Sequence, residues 1–158
     1  MKTVCCFTGI KRLPKGDELE RLKKRLQSEV TALAIIGIYA FVTGGNAGFD
    51  MLAANAVFTL KKEKPHIKLK VILPCKDYDK NWNESDKAAQ KEILDNADEV
   101  IFVSDYYNKG SVRKRNKYII GVSEYCAAYL KGFCFGARHI VRLARRKRIR
   151  FWNIRNRL

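Results

Sequence analysis

The run Thr43-Gly44-Gly45-Asn46-Ala47-Gly48-Phe49-Asp50 sets three glycines and a carboxylate between an apolar segment, Phe41-Val42, and residues with helical periodicity. That is the composition of an anion cradle. Glycines at 44, 45 and 48 let a ligand approach the backbone. The N–H groups and positive dipole end of a helix starting near Phe49 would attract phosphate. The spacing is neither G-x-G-x-x-G nor a P-loop, so a plain strand-to-helix turn is the competing reading. Asp50 is a candidate acid or simply a cap at the helix start.

Other apolar runs end in the same way. Val4-Cys5-Cys6-Phe7 passes into Thr8-Gly9, Leu69–Leu73 into Pro74-Cys75-Lys76-Asp77, and Val100–Val103 into Ser104-Asp105. In an open parallel sheet these ends share one edge, where ligands bind. Trp82 and Tyr107 offer stacking surfaces for a base there, and Arg113 and Arg115, on a helix opened by Ser111, are within reach of a phosphate. Asp77 is a second candidate acid. Neither serine nor cysteine has a recognisable triad environment, and no residue is assigned a catalytic role.

The elements that must position these groups alternate along the chain. Strands are expected near 3–8, 39–43, 69–73, 99–104, 125–130 and 149–154, with helices from about Asp17, Phe49, Glu84, Ser111 and Gly136. Asp17 with Glu20 resembles a capping box, and Leu19, Leu22, Leu26, Val30 and Leu33 form an apolar stripe. Apolar strands separated by helices predict an α/β protein, a mainly parallel sheet with helices on both faces, in one domain over residues 1–158. No secretory leader precedes the first strand, and the longest apolar stretch, Val30 to Val42, is too short and too interrupted to span a bilayer; a cytoplasmic protein is expected. Cys5, Cys6, Cys75, Cys126 and Cys134 make a poor disulfide framework and read as buried thiols, with Cys75 alone, in the loop after the third strand, at a position where reactivity is a question. Cys5 and Cys6 should face opposite sides of one strand. No metal site is expected, since Cys-x-x-Cys is lacking and His66 and His139 lie on unrelated segments.

Lys plus Arg number 32 against 16 Asp plus Glu, a net charge of +16. The excess is concentrated beyond Glu124, the last acidic residue. Arg138, Arg142, Arg145 and Arg146 fall on one face of the last helix, opposite Ile140, Leu143 and Ala144. Such a stripe can track nucleic-acid phosphates without reading bases, or simply be solvated. It lacks the exposed apolar face needed to insert into a membrane.

Cys5-Cys6-Phe7-Thr8-Gly9, Thr43-Gly44-Gly45 with Gly48-Phe49-Asp50, Leu73–Asp77 with Asp79-Lys80-Asn81-Trp82, and Lys114-Arg115-Asn116 with Tyr118 resemble the signatures of YpsA-like proteins. These belong to the SLOG superfamily of Rossmann-like domains, with the DNA-processing protein DprA and the LOG phosphoribohydrolases. The resemblance implies a Rossmann-like domain that binds a nucleotide or nucleotide derivative of the ADP-ribose, NAD or AMP class, and adds Asn116 and Gly136 to the ligand set. It also implies a homodimer, occurrence in bacteria or phages, and a link to bacterial stress or cell division. The chain departs from the family pattern in three places. Ile10–Pro14 replaces a histidine followed by Arg-Pro, Phe135-Gly136-Ala137 replaces Gly-Gly-Thr, and Gly121 stands at a commonly acidic position. LOG-type N-glycosidic hydrolysis uses a glutamate on the last helix, where this chain carries arginines, so the resemblance favours binding over catalysis.

Overall fold

Val4, Cys5, Cys6 and Phe7 of the first strand are all apolar, and both sides of it are covered. In the computed structural model, which describes residues 4–132 and 135–158 and leaves aside the side chains of 135 and 136, β1 spans Val4–Gly9. Cys5 and Phe7 point into one core and Val4 and Cys6 into another. The expected opposition of Cys5 and Cys6 holds, and both thiols, with Cys75 and Cys126, are buried. Cys134 lies outside the described residues.

The chain continues through α1 (Gly16–Ile35), β2 (Ala40–Thr43), α2 (Phe49–Glu63), β3 (Lys68–Leu73), α3 (Glu84–Asn96), β4 (Glu99–Phe102), α4 (Ser111–Gly121), β5 (Tyr125–Tyr129), α5 (Phe135–Lys147) and β6 (Arg150–Asn153), ending in a short 3₁₀ turn. The six strands form one all-parallel sheet in the order β4-β3-β2-β1-β5-β6. Helices α1, α2 and α3 supply Leu22, Leu26, Val30, Phe49, Val57 and Ile93 to one face, and α4 and α5 supply Ile119, Ile120, Ile140 and Ala144 to the other. This is the three-layer Rossmann-like α/β architecture. Because the chain moves outward from β1 to β4 and then returns to place β5 on the other side of β1, the strand order reverses between β1 and β5 while all strands stay parallel. The crevice at the carboxyl ends of those two strands is the place where such folds bind ligands.

One local expectation is corrected. Helix α1 begins at Gly16, so Asp17 lies inside its first turn as a dipole partner, and the capping position, Lys15, makes no side-chain cap. Asn83 does cap α3, its Oδ1 accepting from the Asp86 N–H at 2.8 Å. Among the described residues no helix is long and apolar enough to cross a membrane, and no cluster of His, Cys, Asp or Glu could hold a metal ion.

Candidate functional site

The glycine turn after β2 is braced from two sides by buried polar side chains. Arg115 of α4, only 4% exposed, donates through Nη1 to the Gly44 carbonyl at 2.9 Å, and Gln90 of α3 donates through Nε2 to the Gly45 carbonyl at 2.9 Å. Gly45 and Gly48 hold φ of +72° and +85°, and each is packed tightly. A β-carbon at Gly45 would lie 2.4 Å from Leu73 Cδ2, and one at Gly48 would lie 2.3 Å from the Lys11 carbonyl oxygen. Both glycines are required by packing whether or not a ligand is present.

The open helix end expected at α2 is not what the fold builds. The Phe49 N–H donates to the Ile10 carbonyl at 3.1 Å, because the loop after β1 crosses the start of α2, and the Asn46 N–H donates to Asp50 at 3.1 Å. The Asp50 carboxylate therefore occupies the turn as an internal anion, held also by the Gly44 N–H. Burial pushes its pKa up to about 6, against the opposing pull of Arg115, the N–H groups of Asn46 and Gly44, and Lys11.

Thr8, Gly9, Gly44, Asp50, Arg115 and Asn116 come together around one cavity of about 330 Å³ at the carboxyl ends of β1 and β2, and Phe7, Lys11, Asn46, Ile119, Ala137 and Ile140 complete its wall. Asn116 is 2% exposed; its Oδ1 accepts from Arg115 Nε at 3.1 Å and its Nδ2 lies 3.2 Å from His139 Nδ1. Gly45 and Gly48 support this wall from behind. Pro74, Lys76 and Asp77 belong to the neighbouring loop after β3, where Lys76 lines a separate depression of about 320 Å³ against α3. Cys75 is buried there, and burial, then Asp77, raises its pKa, so its loop position does not make it reactive. Trp82 packs edge-on against Tyr78, whose ring lies 5.8 Å from the Arg115 guanidinium, so it buttresses the site without entering the cavity. Ser104 and the exposed Tyr107 follow β4 at the far edge of the sheet, and Arg113 lies on the exposed side of α4. Gly136 falls in the first turn of α5, among the residues whose side chains are not described.

Lys11, Asn46, Tyr78, Gln90 and His139 were not singled out from the sequence. Lys11 directly follows Thr8-Gly9-Ile10, and Asn46 sits inside the glycine turn, so their positions carried a signal. Gln90 and Tyr78 reach the site only through the tertiary fold, Tyr78 by donating its hydroxyl to Asn46 Oδ1 at 2.6 Å.

Arg138, Arg142, Arg145 and Arg146 line a second groove of about 520 Å³, floored by Leu130, Ala137 and Val141 on the outer side of α5. The stripe read from helical spacing is thus one surface. Ile140 and Ala144 face the core behind it.

The family model described as the YspA SLOG family matches residues 12–131. Among similar proteins, the SPbeta prophage-derived protein YoqJ of Bacillus subtilis is 34% identical over 145 residues, 84% of this chain and 85% of that protein. A UPF0398 protein of Bacillus pumilus is 34% identical over 125 residues, 74% of this chain and 67% of that one. In fold, DNA processing protein A from Helicobacter pylori, a structure described for its single-stranded DNA binding mode, aligns with a TM-score of 0.63 and 20% identity. The alignment covers 94% of this chain and 63% of that one. With a family model spanning most of its length and a relative this similar along most of both chains, the protein belongs to the YpsA family of SLOG proteins.

Proposed function

We propose that the protein is a binding module for a nucleotide or nucleotide derivative, seated in the cavity at the carboxyl ends of β1 and β2, under α4 and α5. One observation carries this: a buried arginine, Arg115, lines a cavity at the carboxyl ends of β1 and β2 beside Lys11, Asn116 and the Thr8-Gly9 backbone. Cations and amides converge there on a volume at the small end of ligand pockets, which favours the AMP portion of a ligand over a whole dinucleotide. N-glycosidic hydrolysis has less support. Among the described residues Asp50 is the one carboxylate lining the cavity, and it is already engaged by Asn46.

Calorimetry with AMP, ADP-ribose and NAD tests the reading. Lys11 is exposed, so Lys11→Gln should leave the fold intact while weakening binding by about tenfold or more, the value of one charge-assisted hydrogen bond. Failure of all three ligands to bind at about 1 mM, where interaction energies fall to about 4 kcal/mol, would exclude the class.

A second reading, nucleic-acid binding through α5, is favoured by the four arginines that share one groove. The single-stranded DNA named for the Helicobacter pylori structure is in line with it. Here phosphates would be tracked by charge, with steep salt dependence.

A further inference from the structure

Arg113 and Lys117 stand about one turn apart on the exposed side of α4, and Arg142 and Arg146 about one turn apart on the exposed side of α5. The two helices pack together, and the charges of all four bear on one imidazole, that of His139. None of the four forms an ion pair among the described residues, and the only acidic residue in the chain beyond Asp105 is Glu124. Three exposed tyrosines accompany these cations: Tyr106 and Tyr107, 80% and 63% exposed just before α4, and Tyr118, 42% exposed beside Lys117. Rows of cations flanked along the chain by exposed aromatic rings match a polymer whose phosphates repeat and whose bases are free to stack.

His139 is built to register the filling of this surface. Its Nδ1 faces the Asn116 amide nitrogen, while the amide oxygen is taken by Arg115 Nε, so Nδ1 accepts and carries no proton. Burial, and then Arg113, Arg142, Lys117 and Arg146, hold the imidazole below its ordinary range. The other elements packed on α5 add no opposing charge: β1 has none, and β6 contributes only Arg150, which lies over the Tyr125 ring.

We propose that the outer faces of α4 and α5 form one surface for single-stranded nucleic acid, and that His139, between its two rows of cations, takes up a proton when phosphates fill it. The proposal rests on the nucleic-acid reading of α5 and extends it to α4 and to a proton. Phosphates neutralise the four cations and remove the repulsion that keeps the ring neutral. Binding therefore favours the imidazolium and tightens as pH falls. A protonated Nδ1 can no longer accept from Asn116, so the Asn116 amide must reorient.

The test uses a 20-nucleotide oligothymidylate at about 50 mM salt, where phosphate contacts weigh most. Histidine resonances are followed against pH with and without the oligonucleotide. His66 on the loop before β3 serves as internal control. The expected result is an upward shift of the His139 titration toward the ordinary imidazole range. Binding should be tighter at pH 6 than at pH 8 in the wild type and lose that difference in His139→Gln. Arg113→Gln/Lys117→Gln and Arg142→Gln/Arg146→Gln, all at exposed positions, should each make the log-affinity against log-salt slope shallower by about 1.4, the value of two phosphate contacts on a single strand. Unaltered binding by Arg113→Gln/Lys117→Gln, with an unmoved His139 titration, overturns the proposal and leaves the α5 reading standing. Absence of oligonucleotide binding at low salt removes both, including where anionic phosphatidylglycerol vesicles bind instead.

Discussion

At Asp50 a carboxylate is buried among two cations and a glycine turn, and its net behaviour follows from which force wins. Burial lifts its pKa from 3.8 to about 6 despite Arg115 and Lys11. The folded state then holds a proton that the unfolded chain has already lost over that interval. Stability contributed by this group is therefore present at low pH and declines as pH rises from about 4 to about 6. The interval corresponds to about 3 kcal/mol. In Asp50→Asn that decline should vanish, so the stability gap between variant and wild type should change by about 3 kcal/mol across the window. Urea unfolding at pH 4 and pH 7 measures it. A constant gap would show that Asp50 has an ordinary pKa. Asp98, which burial would raise but which Lys61, the Leu69 N–H and Lys68 bring below its usual value, acts with opposite sign and at lower pH. At this scale the sequence identified Asp50 and the glycines by their position after β2. It did not reveal that the carboxylate would turn back to fill the turn, because that depends on the Ile10–Lys11 segment closing over α2.

Helices were the most legible elements, since the 3.6-residue period states which face is buried. The start of α3 agrees with the expectation, and the stripe of α1 is buried at Leu22, Leu26, Val30 and Leu33. What periodicity does not give is how one element finishes another. Lys147, counted within the terminal basic run, donates from Nζ to the carbonyls of Ile120, Gly121 and Ser123 at 2.8, 2.7 and 3.1 Å, closing the carboxyl end of α4. It is a structural cation. Lys147→Ala should cost about 1.5–3 kcal/mol, the range for hydrogen bonds to a charged group, whereas Arg145→Ala, at an exposed position in the groove, should stay within about 0.5 kcal/mol. Chemical denaturation of the two variants makes the comparison, and equal effects would place Lys147 among the solvated cations. The same logic separates Trp82 from the ligand cavity. Its role as a buttress for Tyr78, and through it Arg115, is a property of the loop between β3 and α3 meeting α4.

Over the whole molecule the charge is not evenly held. Helices α1 to α3 and their loops carry nearly all the carboxylates, and most ion pairs lie among them; the α4–α5 side has cations without acids. The charge excess and its position after Glu124 could be read directly from the sequence. That α4 would be packed beside α5, bringing Arg113 and Lys117 to Arg142 and Arg146, could not, because it follows from strand order. Like charges gathered on one face repel, and that repulsion is a property of the folded state which salt screens over a Debye length of about 10 Å at 0.1 M. The melting temperature of the free protein should therefore rise as sodium chloride increases from about 10 mM to about 150 mM, where screening shortens from about 30 to about 8 Å. Arg142→Gln/Arg146→Gln should melt higher than wild type at the low-salt end, and the two curves should converge as salt rises. Scanning calorimetry over that range decides the matter. A wild type indifferent to salt would mean that the face is relaxed by solvent alone, and that its cations contribute no stored repulsion for a polyanion to relieve.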